Sequence, residues 1–74
     1  MAKTKSRVQN RVRELRFKQG EMTQQQLAKM IGVARQTIIA IEQGKFCPSL
    51  ESALRFERVF EIPVSEIFIL EESD

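Results

Sequence analysis

The sequence predicts an all-α fold of five short helices, and three observations carry that expectation. Apolar residues recur three and four positions apart, the spacing of one helix face, rather than alternating as in a strand. Gly20, Gly32 and Gly44 each stand where such a run stops, as glycines that end helices do. Thr23 and Ser49 stand where runs begin, with side chains suited to cap a helix. At 74 residues the chain has room for one core and no second domain.

In chain order, residues 1–8 are basic and aperiodic and read as an N-terminal arm. Asn10 is placed to cap a first helix that turns Val12 and Leu15 inward, with Arg11, Arg13, Arg16 and Lys18 around it, and Gly20 ends it. Thr23 opens a second helix, TQQQLAKMI, with Gln26 three residues on as a capping box requires. Met22 stands where a hydrophobic staple to Leu27 would sit, and Leu27, Met30 and Ile31 form the inward stripe. Gly32 stops this helix and Val33 follows as an apolar plug. A third helix, ARQTIIAIEQ (34–43), runs to Gly44. Ser49, after Pro48, caps a fourth, whose Leu50, Ala53, Leu54, Phe56 or Glu57, and Phe60 follow helical spacing. Pro63 starts a last short turn, VSEIF. Residues 67–71 can instead form a short C-terminal strand, because FILE has strand-forming character. The domain so defined spans 9–70, and 71–74 form an acidic tail.

Composition narrows the chemistry. Histidine is absent, which removes the commonest metal ligand and the usual proton shuttle. With Cys47 the only cysteine, no disulfide frame and no zinc site can be assembled, and the thiol is expected to be buried or half-buried in a reducing compartment. No metal and no cofactor is expected. No nucleophile–base pair or phosphate-cradling glycine loop is present, so catalysis is not expected. No apolar run reaches the ~18 residues of a membrane span, and the basic N-terminus lacks a signal-peptide core, so a cytoplasmic location and no membrane partner are expected. The net charge of +2 is unevenly spread. Residues 1–19 carry seven basic groups and one acid, whereas 46–74 carry two and seven. A basic front and an acidic back suit a protein that turns its N-terminal half toward a polyanion.

Residues 23–43 suggest which polyanion. A helix ending in glycine, a turn of three or four residues and a second helix form a helix-turn-helix, whose second helix enters a DNA major groove about 12 Å wide. That second helix must be apolar on one side and hydrogen-bonding on the other. Here Ile38 and Ile41 share one face, while Gln36, Ile39, Ala40 and Gln43 share another. Arg35 and Thr37 lie at the N-terminal end, which points at base edges in this docking mode. Arginine pairs bidentately with guanine and glutamine with adenine, and Ala40 or Ile39 suits a thymine methyl. Ile39 is equally well read as a core edge. Gln24 and Lys45 are placed for phosphates, and Gln43 is open between a phosphate contact and capping the helix end. Arg11, Arg13 or the arm residues Lys3, Lys5 and Arg7 could add salt-sensitive attraction.

The ordered run LR, TQxxLA, GVxRQTI, IExGK, PSL and IPxSEIF, across residues 10–68, resembles the phage-repressor/Cro-type helix-turn-helix family, also called the xenobiotic-response-element family. That resemblance implies a lambda-repressor-like domain of five helices, double-stranded DNA as partner and a homodimer on a palindromic operator. It places the family's phosphate-contacting glutamine on Gln24, its base-reading positions on Arg35, Gln36 and Ala40 with Thr37 and Ile39 adjacent, and its backbone contact after the third helix on Lys45. It assigns a buried arginine–glutamate pair, structural in role, to Arg16 and Glu42. Two departures stand out. Ala34 replaces the Ser or Thr that opens the third helix, so a cap worth about 1 kcal/mol is lost. GEMTQ is one residue longer than GLTQ, and Glu21 is expected to be absorbed in the turn.

Two or three base contacts at about 1–3 kcal/mol each barely reach the ~4–10 kcal/mol that separates specific from non-specific binding. A dimer doubles the reading. Val64, Ile67, Phe68, Ile69 and Leu70 exceed what so small a core should need and are the expected dimer surface; the alternative is that they simply close the monomer core. The five phenylalanines are expected to pack rather than to stack on unpaired bases, and Met22 and Met30 to lie in the core. The function implied is a homodimeric transcriptional regulator, a repressor in the first instance. No small-molecule ligand is evident. The alternative is an antitoxin-like interaction module whose acidic tail (Glu71, Glu72, Asp74) engages a basic protein.

Overall fold

Tight turns between short helices set the course of this chain. The computed structural model describes residues 8–71. Strand β1 (Val8–Asn10) leads into α1 (Val12–Lys18), α2 (Gln24–Ile31), α3 (Arg35–Glu42), α4 (Leu50–Phe60) and α5 (Val64–Ile67), and β2 (Phe68–Leu70) closes the order. The five expected helices are present. The C-terminal strand is present too, three residues long, and its antiparallel partner is β1, with Val8 opposite Leu70, Gln9 opposite Ile69 and Asn10 opposite Phe68. Lys3, Lys5, Arg7, Glu72 and Asp74 lie outside the described residues.

Each helix begins and ends for a local reason. The Thr23 hydroxyl accepts the Gln26 N–H at 3.0 Å and the Gln26 side chain accepts the Thr23 N–H at 2.8 Å, which completes the capping box. Ser49 accepts the Ser52 N–H at 3.1 Å and starts α4. Gly32 ends α2 at φ 89°, a left-handed conformation that selects glycine. The extra residue of the α1–α2 turn is taken up by Glu21 at φ 57°, directly after Gly20 at 74°.

One core results. Val12, Leu27, Ala28, Ile31, Ile38, Ile41, Phe56 and Ile67 are at most 1% exposed, and each large aliphatic among them contributes about 1.5–3 kcal/mol by leaving water. Phe56 meets Phe68 edge to face at 5.1 Å and stacks with Phe60 at 6.2 Å, so α4 and β2 share an aromatic seam. Met22, Val33 and Ile62 pack partly buried against this core.

Several expectations need correction. Val8, read from the sequence as the end of the N-terminal arm, belongs to strand β1. Asn10 is not the N-cap of α1; Arg11 is. The Asn10 Oδ1 still accepts the Val12 N–H at 3.1 Å, while its amide donates to the Ile41 carbonyl at 2.8 Å, so it ties β1 to the end of α3. Met30, Phe17 and Phe46 are about half exposed, as is Leu54, and Leu50 is more so. Cys47 is exposed as well. These side chains satisfy helical or loop spacing yet lie where no further layer covers them. Ile67, expected at a dimer surface, is fully buried under α4 within the protomer.

The polar interior is organised by Arg16. Its Nε donates to Oε2 of Glu42 at 2.6 Å and its Nη2 to Oε1 at 3.0 Å, with both side chains under 10% exposed. The remaining nitrogen, Nη1, donates to the Met22 carbonyl at 2.8 Å. Among the described residues no buried side-chain nitrogen or oxygen is left without a partner. The pair expected from the sequence is therefore formed, and Glu21 in the turn leaves its register intact. Removing one partner strands the other charge. Arg16→Met is expected to lower unfolding free energy by ~3–5 kcal/mol, measured by chemical denaturation at fixed protein concentration. Arg16→Met with Glu42→Leu should recover most of that loss. A single variant as stable as the parent would show the pair to be dispensable.

Candidate nucleic-acid interface

Gly32, Val33 and Ala34 alone separate α2 from α3. The amides of Gly32 and Val33 both donate to the Ala28 carbonyl, at 2.8 and 3.0 Å, which closes α2 and turns the chain sharply. Ala34 follows in extended conformation at the N-cap of α3, and its side chain provides no cap. The helix that starts there is pinned by Ile38 and Ile41, both buried, against α2.

With those two residues inward, the opposite side of α3 is open. Arg35 and Gln36 are exposed; Thr37, Ile39 and Ala40 are partly exposed. Ile39 is thus neither core nor fully free, and it lines a surface groove together with Arg35, Gln24 and Gln43. Gln43 occupies the C-cap position through its backbone, its N–H donating to the Ile39 carbonyl at 3.0 Å, and its side chain is exposed. Lys45 is held by its own amide, 2.9 Å from the Ala40 carbonyl, with its ammonium group in solvent. No hydrogen bond joins the side chains of Arg35, Gln36, Gln43 or Lys45 to other described residues, so their donors and acceptors are all available to a ligand.

Gln24 stands differently. Its Nε2 donates to Oε1 of Glu42 at 3.1 Å, so the first residue of α2 is bonded to the last residue of α3. Sequence spacing did not reveal this bond, because the residues are 18 apart and meet only through the turn.

The cations of α1 divide into engaged and free. Arg11 pairs with Glu14 at 3.0 Å and donates to the Glu66 carbonyl at 3.2 Å; Lys18 pairs with the same Glu14 carboxylate at 3.2 Å. Hydrogen bonds from Arg11 and Lys18, reinforced by their charges, hold the Glu14 carboxyl down to about 2, and Glu14 in turn raises Arg11 above its ordinary value. Arg16 is committed to Glu42. Arg13 is exposed and forms no ion pair with the described residues, and its guanidinium lies 5.5 Å from the centre of the Phe17 ring. Among the described residues no group of three or more His, Cys, Asp or Glu side chains could hold a metal ion, and no helix is long and apolar enough to cross a membrane.

The model of a helix-turn-helix family matches residues 12–67. An uncharacterized HTH-type transcriptional regulator of Archaeoglobus fulgidus is 43% identical over 67 residues, which cover 90% of this chain and 94% of the relative. One from Methanocaldococcus jannaschii is 49% identical over 53 residues, 72% of this chain and 80% of the relative. A cryptic-phage transcriptional repressor of Vibrio cholerae is 29% identical over 58 residues, 78% of this chain and 51% of its own length. With its five helices, its three-residue turn and its buried Arg16–Glu42 pair, the chain belongs to the helix-turn-helix family of DNA-binding transcriptional regulators.

Proposed function

We propose that the protein is a homodimeric, sequence-specific repressor that lays α3 in the major groove of a palindromic operator and acts in the cytoplasm. The observation that carries this reading is the two-sided α3: Ile38 and Ile41 are sealed in the core while Arg35 and Gln36 stand exposed at its N-terminal end. In this assignment Arg35, Gln36, Thr37, Ile39 and Ala40 meet base edges, and Gln24, Gln43 and Lys45 meet phosphates. Gln24 can present its oxygen or its backbone amide to DNA while its Nε2 remains on Glu42. That the phage relative is a transcriptional repressor favours repression over activation.

The dimer surface is redrawn around what remains exposed. Ile69 and Leu70 on β2 are 44% and 58% exposed, Val64 and Phe68 are partly so, and Ile67 is excluded by burial. An apolar strand end facing water is a natural seat for a second copy, and two copies place two α3 helices on half-sites about 34 Å apart.

Three outcomes are expected. Selection from a randomised duplex library should enrich a palindrome with half-sites one helical turn apart. Gln36→Ala should relax one position in each half-site by about 1–3 kcal/mol. Weak enrichment that is steeply salt-dependent and identical in both proteins would sink the reading. Sedimentation should find a dimer for the parent chain and a monomer for Ile69→Asp with Leu70→Asp. A dimer in both would move the interface elsewhere.

A further inference from the structure

The groove between α1 and the α2–α3 unit holds more positive charge than the recognition helix accounts for. Arg13, Phe17, Gln24, Gln25, Arg35 and Gln43 line it. Of the carboxylates at its edge, Glu42 is consumed by Arg16, and Glu21 stands exposed in the turn. That leaves two cations, Arg13 and Arg35, with no carboxylate partner among the described residues.

Phe17 has no place in the core, yet two guanidiniums approach its ring, Arg16 at 5.1 Å and Arg13 at 5.5 Å. Both distances fall inside the range of cation–π attraction. The ring therefore serves as a platform. Arg16 is fixed by its bonds to Glu42 and Met22, Phe17 lies beside Arg16, and Arg13, one turn earlier on α1, lies against Phe17. An arginine held this way loses less rotamer freedom when it meets an anion than one that moves freely in solvent.

We propose that this groove seats a backbone phosphate of the bound duplex, and that Arg13, steered by the Phe17 ring, is the side chain that neutralises it. The inference rests on the double-stranded-DNA reading and extends it. α1 joins the DNA surface through Arg13 alone, because Arg11 and Lys18 are held by Glu14. Arg13 then contributes to affinity without contributing to sequence choice.

The test is the salt dependence of binding to a short random-sequence duplex, followed by fluorescence anisotropy across a salt series. Each phosphate neutralised contributes about 0.9 to the slope of log K against log salt. Arg13→Ala should reduce the magnitude of that slope by about 0.9 for each protomer bound, with the selected operator unchanged. Arg13→Lys should keep the slope, and Arg11→Ala should leave it as in the parent. Thermal melts of all four proteins exclude misfolding, since Arg13 is exposed. An unchanged slope in Arg13→Ala overturns the phosphate seat, and if Gln36→Ala still relaxes the operator the base-reading assignment stands without it. Absence of duplex binding by the parent chain at low salt overturns both.

Discussion

The buried pair of Arg16 and Glu42 is the interaction on which the geometry of the proposed reading face depends. An isolated helix of eight residues is not stable in water, so the direction of α3 has to come from what it packs against. Ile38 and Ile41 fix which side faces inward. Glu42, the last residue of the helix, then fixes its far end, because its carboxylate receives Arg16 from α1 and Gln24 from the start of α2. Asn10 adds a fourth tie at the carbonyl of Ile41. Three other segments of chain, β1, α1 and the start of α2, thus converge on one end of one helix, with donors and acceptors matched throughout.

Such an arrangement separates the two demands made of α3. Specific contact with base edges needs exposed polar side chains, which contribute little to folding, held within a fraction of an ångström of their working position. Stability comes from the inward isoleucines and the ion pair, and the outward residues stay free. The same separation shows in α1, where Leu15 and Arg16 belong to the interior, Arg11 and Lys18 are tied to Glu14, and Arg13 and Phe17 are left at the surface next to α3.

The sequence was most legible where local chemistry decides. The Thr23–Gln26 box, the Ser49 cap, the left-handed glycines and the uncapped Ala34 all act within a few residues, and all were placed correctly. The two faces of α3 could be read for the same reason, since helical periodicity alone separates Ile38 and Ile41 from Gln36 and Gln43. What escaped depends on residues distant in sequence. Val8–Asn10 carries no strand signal of its own and becomes a strand only because β2 lies beside it. Leu50, Leu54, Met30 and Phe17 obey helical spacing, but spacing cannot say which helix face another element will cover. Ile67 looked surplus to the core until α4 closed over it. The Arg13–Phe17 contact had a legible signal, a cation and a ring four apart on one helix, but its position beside α3 did not.

The most direct measurement is a map of backbone amide shifts in the isotopically labelled protein as an operator duplex is added. The largest changes are expected at residues 23–25, across 34–45 and around Arg13, with the core amides and the outer face of α4 nearly still. Changes centred instead on 68–71, with α3 unmoved, would contradict it and place the working surface of this protein at its C-terminal end.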